Sequence, residues 1–268
     1  RAKAPLTCEV EVLNEHGERL SMSIPAERPL TVYVDKRELV TLMTLGAHPE
    51  LLVLGYLRNQ RLVESPADIE SIQVDWETDS AAVKTRRSTV DIDAITSKRV
   101  VTTGCGQGTM FGGLMEDMAQ IRLPEGPKLH QAAIVDLLEQ IRAHETIYKK
   151  AGSVHACAVF ERDGDNKARL IHLIEDVGRH NAVDSISGLM WLVNRPGENL
   201  IFFTTGRLTS EMVIKGAQMG IPFLLTRSGV TQMGLELARK THLTLLSRCS
   251  GKHFEIYNAP ERVVFQSS

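Results

Sequence analysis

Residues 154–174 read VHACAVFERDGDNKARLIHLI. Two apolar runs, at 154–160 and 169–174, flank the turn residues 163–166, and this pattern predicts a β-hairpin. Beyond the hairpin, helical and strand patterns alternate to residue 246. The predicted helices span 182–193, 210–219 and 231–240, and the predicted strands span 200–203, 222–225 and 243–246. This alternation predicts an α/β fold with a three-layer arrangement and a mixed, mostly parallel sheet that contains one antiparallel hairpin.

The region before the hairpin has a different pattern, rich in short β-like stretches. Strands are predicted at 8–13, 30–34, 69–74 and 83–90, with a hairpin turn at 14–17 and one helix at 48–63. The sequence Pro124-Glu125-Gly126-Pro127 then interrupts the chain, and a helix is predicted from about 129 to 150, ended by Gly152. We therefore predict two domains: a smaller, β-rich α+β domain over 1–125 and an α/β domain over 126–268.

Composition excludes several classes of protein. The chain has 268 residues, 43% of them hydrophobic and 24% charged, so it can form a sizeable core. Its formal net charge is −2, so we do not expect general nucleic-acid binding. Its four cysteines are far apart and form no CxxC pair, which argues against a disulfide scaffold or a structural zinc site. There is no signal peptide and no apolar run long enough to span a bilayer, so we expect a cytoplasmic protein without a membrane partner.

One cysteine lies in a glycine-rich segment, Gly104-Cys105-Gly106-Gln107-Gly108. The strand pattern before it and the helical spacing after it predict a strand-to-helix turn. Unpaired amides and the helix dipole stabilise a thiolate at such a position, and the glycines leave room for a partner molecule. Cys105 is therefore the candidate nucleophile, and the alternative is a phosphate-binding turn in which the cysteine is incidental.

Three polar loops follow predicted elements of the sheet, and each contains an arginine, namely Arg179, Arg207 or Arg227. Because the carboxyl ends of parallel strands meet at one edge, the three arginines are expected to converge. Arginine side chains next to helix N-termini bind phosphate, so the sequence predicts a pocket for a phosphorylated or dinucleotide-like ligand. For Ser210 and Thr231, helix capping alone is an equally good explanation.

Two histidines are further candidates. His155 lies two residues before Cys157, where the His-x-Glu sequence of a zinc deaminase would need Glu, and the chain has no second cysteine cluster and no PCxxC sequence, so a zinc site of that type is not expected. His155 is either a buried hydrogen-bonded residue or a ligand contact. His180 follows Glu175 and Asp176 in a polar loop, where it either transfers a proton, contacts a ligand or simply binds a neighbouring carboxylate.

These residues also resemble a known family. Gly152-Ser153-Val154-His155-Ala156, the run from Glu175 to Asp184, and Gly206-Arg207 with the segment from Ser210 to Lys215 are similar to the formate dehydrogenase accessory sulfurtransferase family, FdhD/NarQ. Glu27-Arg28-Pro29-Leu30 and Leu54-Gly55-Tyr56-Leu57 extend the resemblance, which covers about residues 25–262.

The resemblance implies a function and a fold. Members take sulfur from a cysteine desulfurase as a cysteine persulfide and transfer it to the molybdenum bis(molybdopterin guanine dinucleotide) cofactor that formate dehydrogenase requires. It implies a C-terminal domain like that of cytidine deaminases without the zinc, a guanine nucleotide site, no permanent metal, formate dehydrogenase as a partner and a possible homodimer. The implied cofactor-binding residues are His155, Arg179, His180, Asn181, Arg207, Ser210, Lys215, Arg227, Ser228, Leu246, Ser247, Arg248, Cys249, Ser250 and Gly251.

The chain departs from the family pattern at one position. The family has Cys-x-x-Cys in the loop, whereas here Gly108 replaces the second cysteine. The persulfide is therefore expected on Cys105, with direct transfer or resolution by Cys157 or Cys249. The alternative function is a non-catalytic chaperone that binds and inserts the guanylated cofactor, and a third possibility, a divergent nucleotide hydrolase or deaminase, would need a metal.

Overall fold

The protein is described by a computed structural model at residues 4–86, 100–101, 108–109, 118, 121–144, 146–164 and 166–266. The helices are α1 (Pro49–Asn59), α2 (Gln131–Ala143), α3 (Ile147–Ala151), α4 (Arg179–Leu192), α5 (Ser210–Gln218) and α6 (Gln232–Lys240). The strands of the first half are β1 (Thr7–Leu13), β2 (Arg19–Pro25), β3 (Arg28–Val34), β4 (Arg37–Thr44), β5 (Ile69–Asp75), β6 (Ser80–Thr85), β7 (Val100–Val101) and β8 (Gly108–Thr109). Those of the second half are β9 (Leu129–His130), β10 (His155–Asp163), β11 (Lys167–Asp176), β12 (Leu200–Thr204), β13 (Phe223–Thr226), β14 (Thr244–Ser250), β15 (His253–Asn258) and β16 (Val263–Val264).

The N-terminal part contains the predicted hairpin and a small sheet. Strands β1 and β2 pair antiparallel around a turn in which the Asn14 carboxamide oxygen accepts hydrogen bonds from two backbone amides. The four-stranded sheet has the order β4-β3-β6-β5, and only its β3–β6 pairing is parallel. Helix α1 covers one face of this sheet, with Tyr56 and Leu57 packed on Leu30, Val32 and Val83.

The six-stranded sheet has the order β11-β10-β12-β13-β14-β15. Strands β11, β12, β13 and β14 run in one direction, whereas β10 and β15 run in the opposite direction. The sheet is mixed, as predicted. Four of its six strands run in the same direction, but only two of its five strand pairings are parallel, so the predicted mostly parallel pairing is wrong. The reason is that β10, the first strand of the hairpin, is inserted between β11 and β12 instead of lying at the edge.

Helices cover both faces of this sheet and form three layers. Residues of α4, α5 and α6, such as Val183, Val213 and Ala238, share one core with Val159 and Phe202. On the opposite face, α2 packs Ile134 and Leu137 against the neighbouring strand residues, among them Ala158 and Phe203. The alternation of side chains along β10 and β12 thus supplies two cores. The expected likeness to cytidine deaminases stays a prediction.

The two halves of the chain meet where α1 packs on α4, through a close approach that two glycines permit. A Cβ atom on Gly55 would lie 1.7 Å from the Asp184 backbone oxygen, and one on Gly188 would lie 2.1 Å from the Leu51 oxygen. The Asn59 side chain of α1 also donates to Asp184 Oδ1 at 2.7 Å. This packing fixes α4 relative to the small sheet, while the predicted boundary at residue 125 stays a prediction.

One predicted helix is wrong in detail. The helix expected at 129–150 is two helices, α2 and α3, because Thr146 starts α3 by accepting from Lys149 N and the Glu175 carboxylate accepts from Ile147 N and Tyr148 N. The predicted ending at Gly152 is confirmed, with φ at +65°. The turn and the helix predicted after Val101 lie mostly outside the described residues, and within the described part Gly108–Thr109 pairs antiparallel with Val100–Val101.

Candidate functional site

The carboxyl ends of β11, β12, β13 and β14 meet at one edge of the six-stranded sheet, together with the first residue of β10. His155 pairs with Asp176 in the β10–β11 ladder, and Cys157 pairs with Thr204 in the β10–β12 ladder. The site is formed by residues 155, 176–181, 204–210, 226–231 and 248–251. We call this region the carboxyl-edge cleft.

Backbone and hydroxyl contacts hold two of these loops side by side. Thr226 Oγ1 donates to Gly206 O at 2.6 Å, and Arg227 N donates to Thr204 O at 3.1 Å. Leu208 N donates to Gly229 O at 3.0 Å, which completes a parallel bridge between the loops. Arg207 and Arg227 are therefore carried by adjoining, mutually supported backbone.

The three arginines lie at one edge of the sheet, as the sequence predicted, close enough to His155 for their charges to act on it. Arg207 and Arg227 are exposed, while Arg179 is buried and passes over Gly206, where a Cβ atom would lie 2.9 Å from its Cδ. The pKa of His155 is lowered first by burial and then by the charges of Arg179, Arg227 and Arg207. A neutral imidazole thus lies within a positive field that favours an anionic ligand.

The acidic residues of the cleft are engaged within the fold. Asp176 accepts hydrogen bonds from the Thr44 hydroxyl and from the amides of Leu45 and Gly178. Glu175 accepts from the first amides of α3. These carboxylates tie the end of β11 to β4 and α3.

Three of the predicted ligand residues are buried in contacts of this kind. Asn181 donates its side-chain amide to Met43 O at 2.6 Å and to Asp176 Oδ1 at 2.9 Å. Lys215 Nζ lies 2.7 Å from Asp184 Oδ1, and both side chains are almost fully buried. His180 Nε2 lies 3.1 Å from Glu211 Oε2. The Lys215 and His180 contacts link α4 with α5 at the edge of the cleft, and the Asn181 contacts link α4 with β4 and β11.

Burial also decides the protonation of His180. Although Glu211 favours the imidazolium, burial and then the charges of Lys215 and Arg179 lower the pKa of His180 to about 2. The neutral ring therefore carries its proton on Nε2, facing the carboxylate. Its Nδ1 is buried and, within the described part of the chain, has no hydrogen-bond partner.

The helices that begin at the cleft differ in their capping. Thr231 accepts from Gly234 N at 3.2 Å and so caps α6, which confirms the capping interpretation for that hydroxyl. Ser210 is not a cap; it is the first residue of α5, and the N-cap Thr209 makes no side-chain capping bond. Helix α4 starts after Gly178, also without a side-chain cap. The first amides of α4 and α5 can therefore interact with an anion.

A cavity of about 220 Å³ adjoins the cleft. Its walls include Tyr148, Thr205, Arg227, Cys249 and Ser250, so the last predicted segment reaches the same region as the arginine loops. The Arg227 guanidinium lies 5.2 Å from the centre of the half-exposed Tyr148 ring. Tyr148 was not predicted as a site residue, because the predicted helix at 129–150 places it on a buried face. The only indication in the sequence is that it is an aromatic residue shortly before Gly152, where the predicted helix ends.

The C-terminal segment is divided between core and surface. Leu246, Ser247 and Cys249 are buried in β14, whereas Arg248, Ser250 and Gly251 are exposed. Arg248 has φ at +54° and donates its backbone N–H to Ser228 O at 3.0 Å, which links the segment to the Arg227 loop. A Cβ atom on Gly229 would lie 3.9 Å from Arg248 Nη2, so a fourth arginine adjoins the cleft.

The cysteines fall into distinct environments. Burial raises the pKa of the Cys157 thiol to about 12, and likewise that of Cys249 to about 12, so both are poor nucleophiles. Cys8 is exposed on β1, and Cys105 lies outside the described residues. These environments argue against Cys157 and Cys249 as resolving thiols.

Within the described ranges, no group of three or more His, Cys, Asp or Glu side chains is arranged to hold a metal ion. No helix in the same ranges combines the length and the apolar character needed to cross a bilayer.

Comparisons with known proteins agree with this arrangement. The sequence model of the FdhD/NarQ family matches residues 25–264. The sulfur carrier protein FdhD of Listeria innocua is 27% identical over 248 residues, covering 92% of this chain and 93% of that protein. The sulfur carrier protein FdhD of Sulfurisphaera tokodaii is 29% identical over 245 residues, covering 90% of this chain and 91% of that protein.

A solved structure is also similar. It is a crystal structure of a protein from Desulfotalea psychrophila, provisionally described as a formate dehydrogenase accessory protein. The TM-score is 0.76 at 26% sequence identity, and the match covers 97% of this chain and 100% of the other.

Proposed function

The chain belongs to the FdhD/NarQ family, and on this basis we propose that it is a sulfur carrier that serves formate dehydrogenase. In this proposal Cys105 takes sulfur from a cysteine desulfurase as a persulfide. The receiving substrate is the molybdenum bis(molybdopterin guanine dinucleotide) cofactor of the formate dehydrogenase catalytic subunit. The observation that carries the proposal is the convergence of Arg179, Arg207 and Arg227 around His155.

The proposal for the cleft is that it binds the guanine nucleotide end of this substrate. Its diphosphates are anions that guanidinium groups and uncapped helix N-termini bind well. We assign direct contacts to the accessible or half-buried predicted residues, which are His155, Arg207, Ser210, Arg227, Ser228, Arg248, Ser250 and Gly251. We assign positioning roles to the buried ones, which are Arg179, His180, Asn181, Lys215, Leu246, Ser247 and Cys249.

Transfer of sulfur from the donor persulfide to Cys105 needs no external oxidant. The Cys105 thiolate attacks the terminal sulfur of the donor persulfide, a new S–S bond forms on Cys105, and the donor cysteine leaves as a thiolate. Delivery of that sulfur as sulfide requires two electrons, which a thiol reductant can supply by forming a disulfide. Because Gly108 replaces the second loop cysteine and the thiols of Cys157 and Cys249 are buried, we propose that this thiol comes from outside the chain.

Intact mass spectrometry tests the carrier function. The protein is incubated with a cysteine desulfurase and cysteine, and its mass is compared before and after treatment with a reductant. We expect a reversible gain of one sulfur atom that is lost in Cys105→Ala and kept in the matched control Cys8→Ala, since Cys8 is the exposed cysteine of the described chain. If the gain persists in Cys105→Ala, Cys105 is not the carrier.

The chaperone alternative is separated by a second measurement on the same proteins. If no sulfur is gained but GDP still binds, the chain is a cofactor-binding chaperone and not a sulfurtransferase. If sulfur is gained but Arg207→Gln does not weaken GDP binding, the carrier function stands and the assignment of the cleft is wrong.

A further inference from the structure

A second and larger cavity, of about 600 Å³, lies away from the carboxyl-edge cleft. It is formed where α1, α4 and α5 end, and residues 121–122 complete its wall. Its charged or polar walls come from Arg58, Arg61, Glu64, Arg122 and Gln218, and Trp191 supplies an aromatic wall. We call it the helix-end cavity, and its volume lies in the range of small-molecule sites.

Arg58 is the most informative residue of this cavity. Its guanidinium donates to Ser187 O at 2.9 Å and lies 5.5 Å from the centre of the Trp191 ring. No carboxylate in the described ranges pairs with it. Its pKa is lowered to about 10 by burial alone. An arginine in these surroundings keeps donors and positive charge for a further partner.

The balance of charge in the cavity is positive. Three arginines face one acid, Glu64. The C-terminal ends of three helices carry partial negative charge, which offsets part of this excess. Arg58 satisfies one helix carbonyl directly, at Ser187, with one of its donors.

The other walls have a different character. Val63, Ile121 and Ala217 line the cavity between the arginines, and the side-chain carbonyl of Gln218 is buried without a hydrogen-bond partner in the described chain. A ligand that satisfied this site would combine an anionic group with an apolar part and a donor. Phosphate and carboxylate both match the planar fork of arginine.

We propose that the helix-end cavity binds a small organic anion, in which a phosphate or carboxylate group is attached to an aromatic or aliphatic body. Arg58 holds the anionic group, and Trp191 and Val63 lie beside the body. The site is separate from the carboxyl-edge cleft, because α4 and α5 begin at the cleft and end at the cavity. It does not depend on the proposed sulfur carrier function.

Trp191 provides a direct readout. The chain has two tryptophans, so Trp76→Phe leaves Trp191 as the only one. We expect saturable fluorescence changes when this variant of the full chain is titrated with phenyl phosphate or benzoate, and none with benzyl alcohol. A stronger response to phenyl phosphate assigns the site to phosphates, and a stronger response to benzoate assigns it to carboxylates.

Two substitutions test the assignment to Arg58. In the Trp76→Phe background, Arg58→Gln is expected to weaken binding at least about tenfold, since it removes a charged hydrogen-bonding group. Gln218→Glu adds a negative charge and is expected to weaken binding without disturbing the α1–α4 contact. The matched control is Arg239→Gln, an exposed arginine in the last turn of α6, which should bind normally.

The proposal is overturned by any of three results. The first is the absence of saturable binding of both anions to protein whose circular dichroism and melting temperature are normal. The second is equal binding of benzyl alcohol, and the third is equal affinity in Arg58→Gln and the parent, because neither is compatible with an anion site built on Arg58.

Discussion

The carboxyl-edge cleft and the helix-end cavity lie at opposite ends of the same two helices. Arg179 begins α4 and Ser210 begins α5 at the cleft, whereas Trp191 and Gln218 lie in their last turns at the cavity. With a rise of about 1.5 Å per residue, α4 separates the two regions by roughly 20 Å. Both regions are rich in arginine, but their electrostatics differ.

At the cleft, helix N-termini and arginines both favour an anion, so their effects add. At the cavity, helix C-termini oppose the arginines, so the positive field is weaker there. Arginine content alone therefore does not rank two sites, because the direction of the helices beneath them changes the field. We therefore expect polyphosphate to bind the cleft more tightly than the cavity.

The substitution with the largest expected effect disrupts the contact between α1 and α4, which supports both regions. Gly55→Ala places a Cβ atom 1.7 Å from the Asp184 backbone oxygen, so α1 must move away from α4. We expect the free energy of unfolding to fall by more than about 3 kcal/mol, with loss of binding at both regions. Urea unfolding measures this. Gly126→Ala is the matched control, since a Cβ atom there meets nothing within 4 Å, and an equal loss in that variant would disprove the account.

The next effect is a pH dependence that belongs to the cleft alone. His180 stays neutral in the folded chain because its pKa falls from 6.5 to about 2, with Glu211, Lys215, Arg179 and His155 around it. The unfolded chain takes up this proton below about pH 6.5, so the associated stability is complete above that pH and is lost as the pH falls. Between about pH 7 and 5 the loss is about 2 kcal/mol.

Urea unfolding at those two pH values, on the parent and on His180→Gln, isolates this contribution. The variant should lose about that much less stability on acidification. His253→Gln, at an exposed histidine, should behave as the parent. A variant whose pH dependence matches the parent would show that His180 is not buried in its neutral form.

A smaller effect separates the two regions by ligand. Arg207→Gln should weaken GDP binding about tenfold, because one charged contact to phosphate is lost. Arg58→Gln should leave the affinity for GDP unchanged, because Arg58 lies in α1 beside the C-terminal end of α4, far from the cleft. Isothermal titration of both variants checks this, and the expected contrast disappears if GDP occupies the helix-end cavity.

The smallest expected effect concerns the buried thiols. Cys157→Ala and Cys249→Ala should each leave the rate of persulfide turnover unchanged, because burial raises the pKa of both thiols to about 12. Turnover is followed by mass spectrometry with the cysteine desulfurase. Slower release of sulfur in either variant would show that this thiol resolves the persulfide.

The elements that local pattern controls were predictable. Asn14-Glu15-His16-Gly17 and Asp163-Gly164-Asp165-Asn166 are turn sequences between alternating strands, and both hairpins are confirmed. The arginine loops were predictable for the same reason, since each follows a strand and precedes a helix at a position that topology places at one edge. They come close to His155 because the first residue of β10 lies at the same edge of the sheet.

The division of the predicted helix at 129–150 was not predictable from local pattern. Its break depends on Glu175, which is distant in sequence and binds the first amides of α3. This contact also exposes Tyr148 beside Arg227. Likewise, Lys215 was expected at a ligand, but the fold pairs it with Asp184 in the interior.

The α/β alternation, the two hairpins, the arginine loops and the family follow from the amino-acid sequence, because turn chemistry, hydrophobic period and loop motifs are local properties of the chain. Tertiary packing places β10 inside the sheet, buries Cys157 and Cys249, and brings Arg58, Arg122 and Trp191 to one cavity. These features could not be predicted because burial and charge depend on groups from distant segments, and those groups meet only when helices such as α1 and α4 pack.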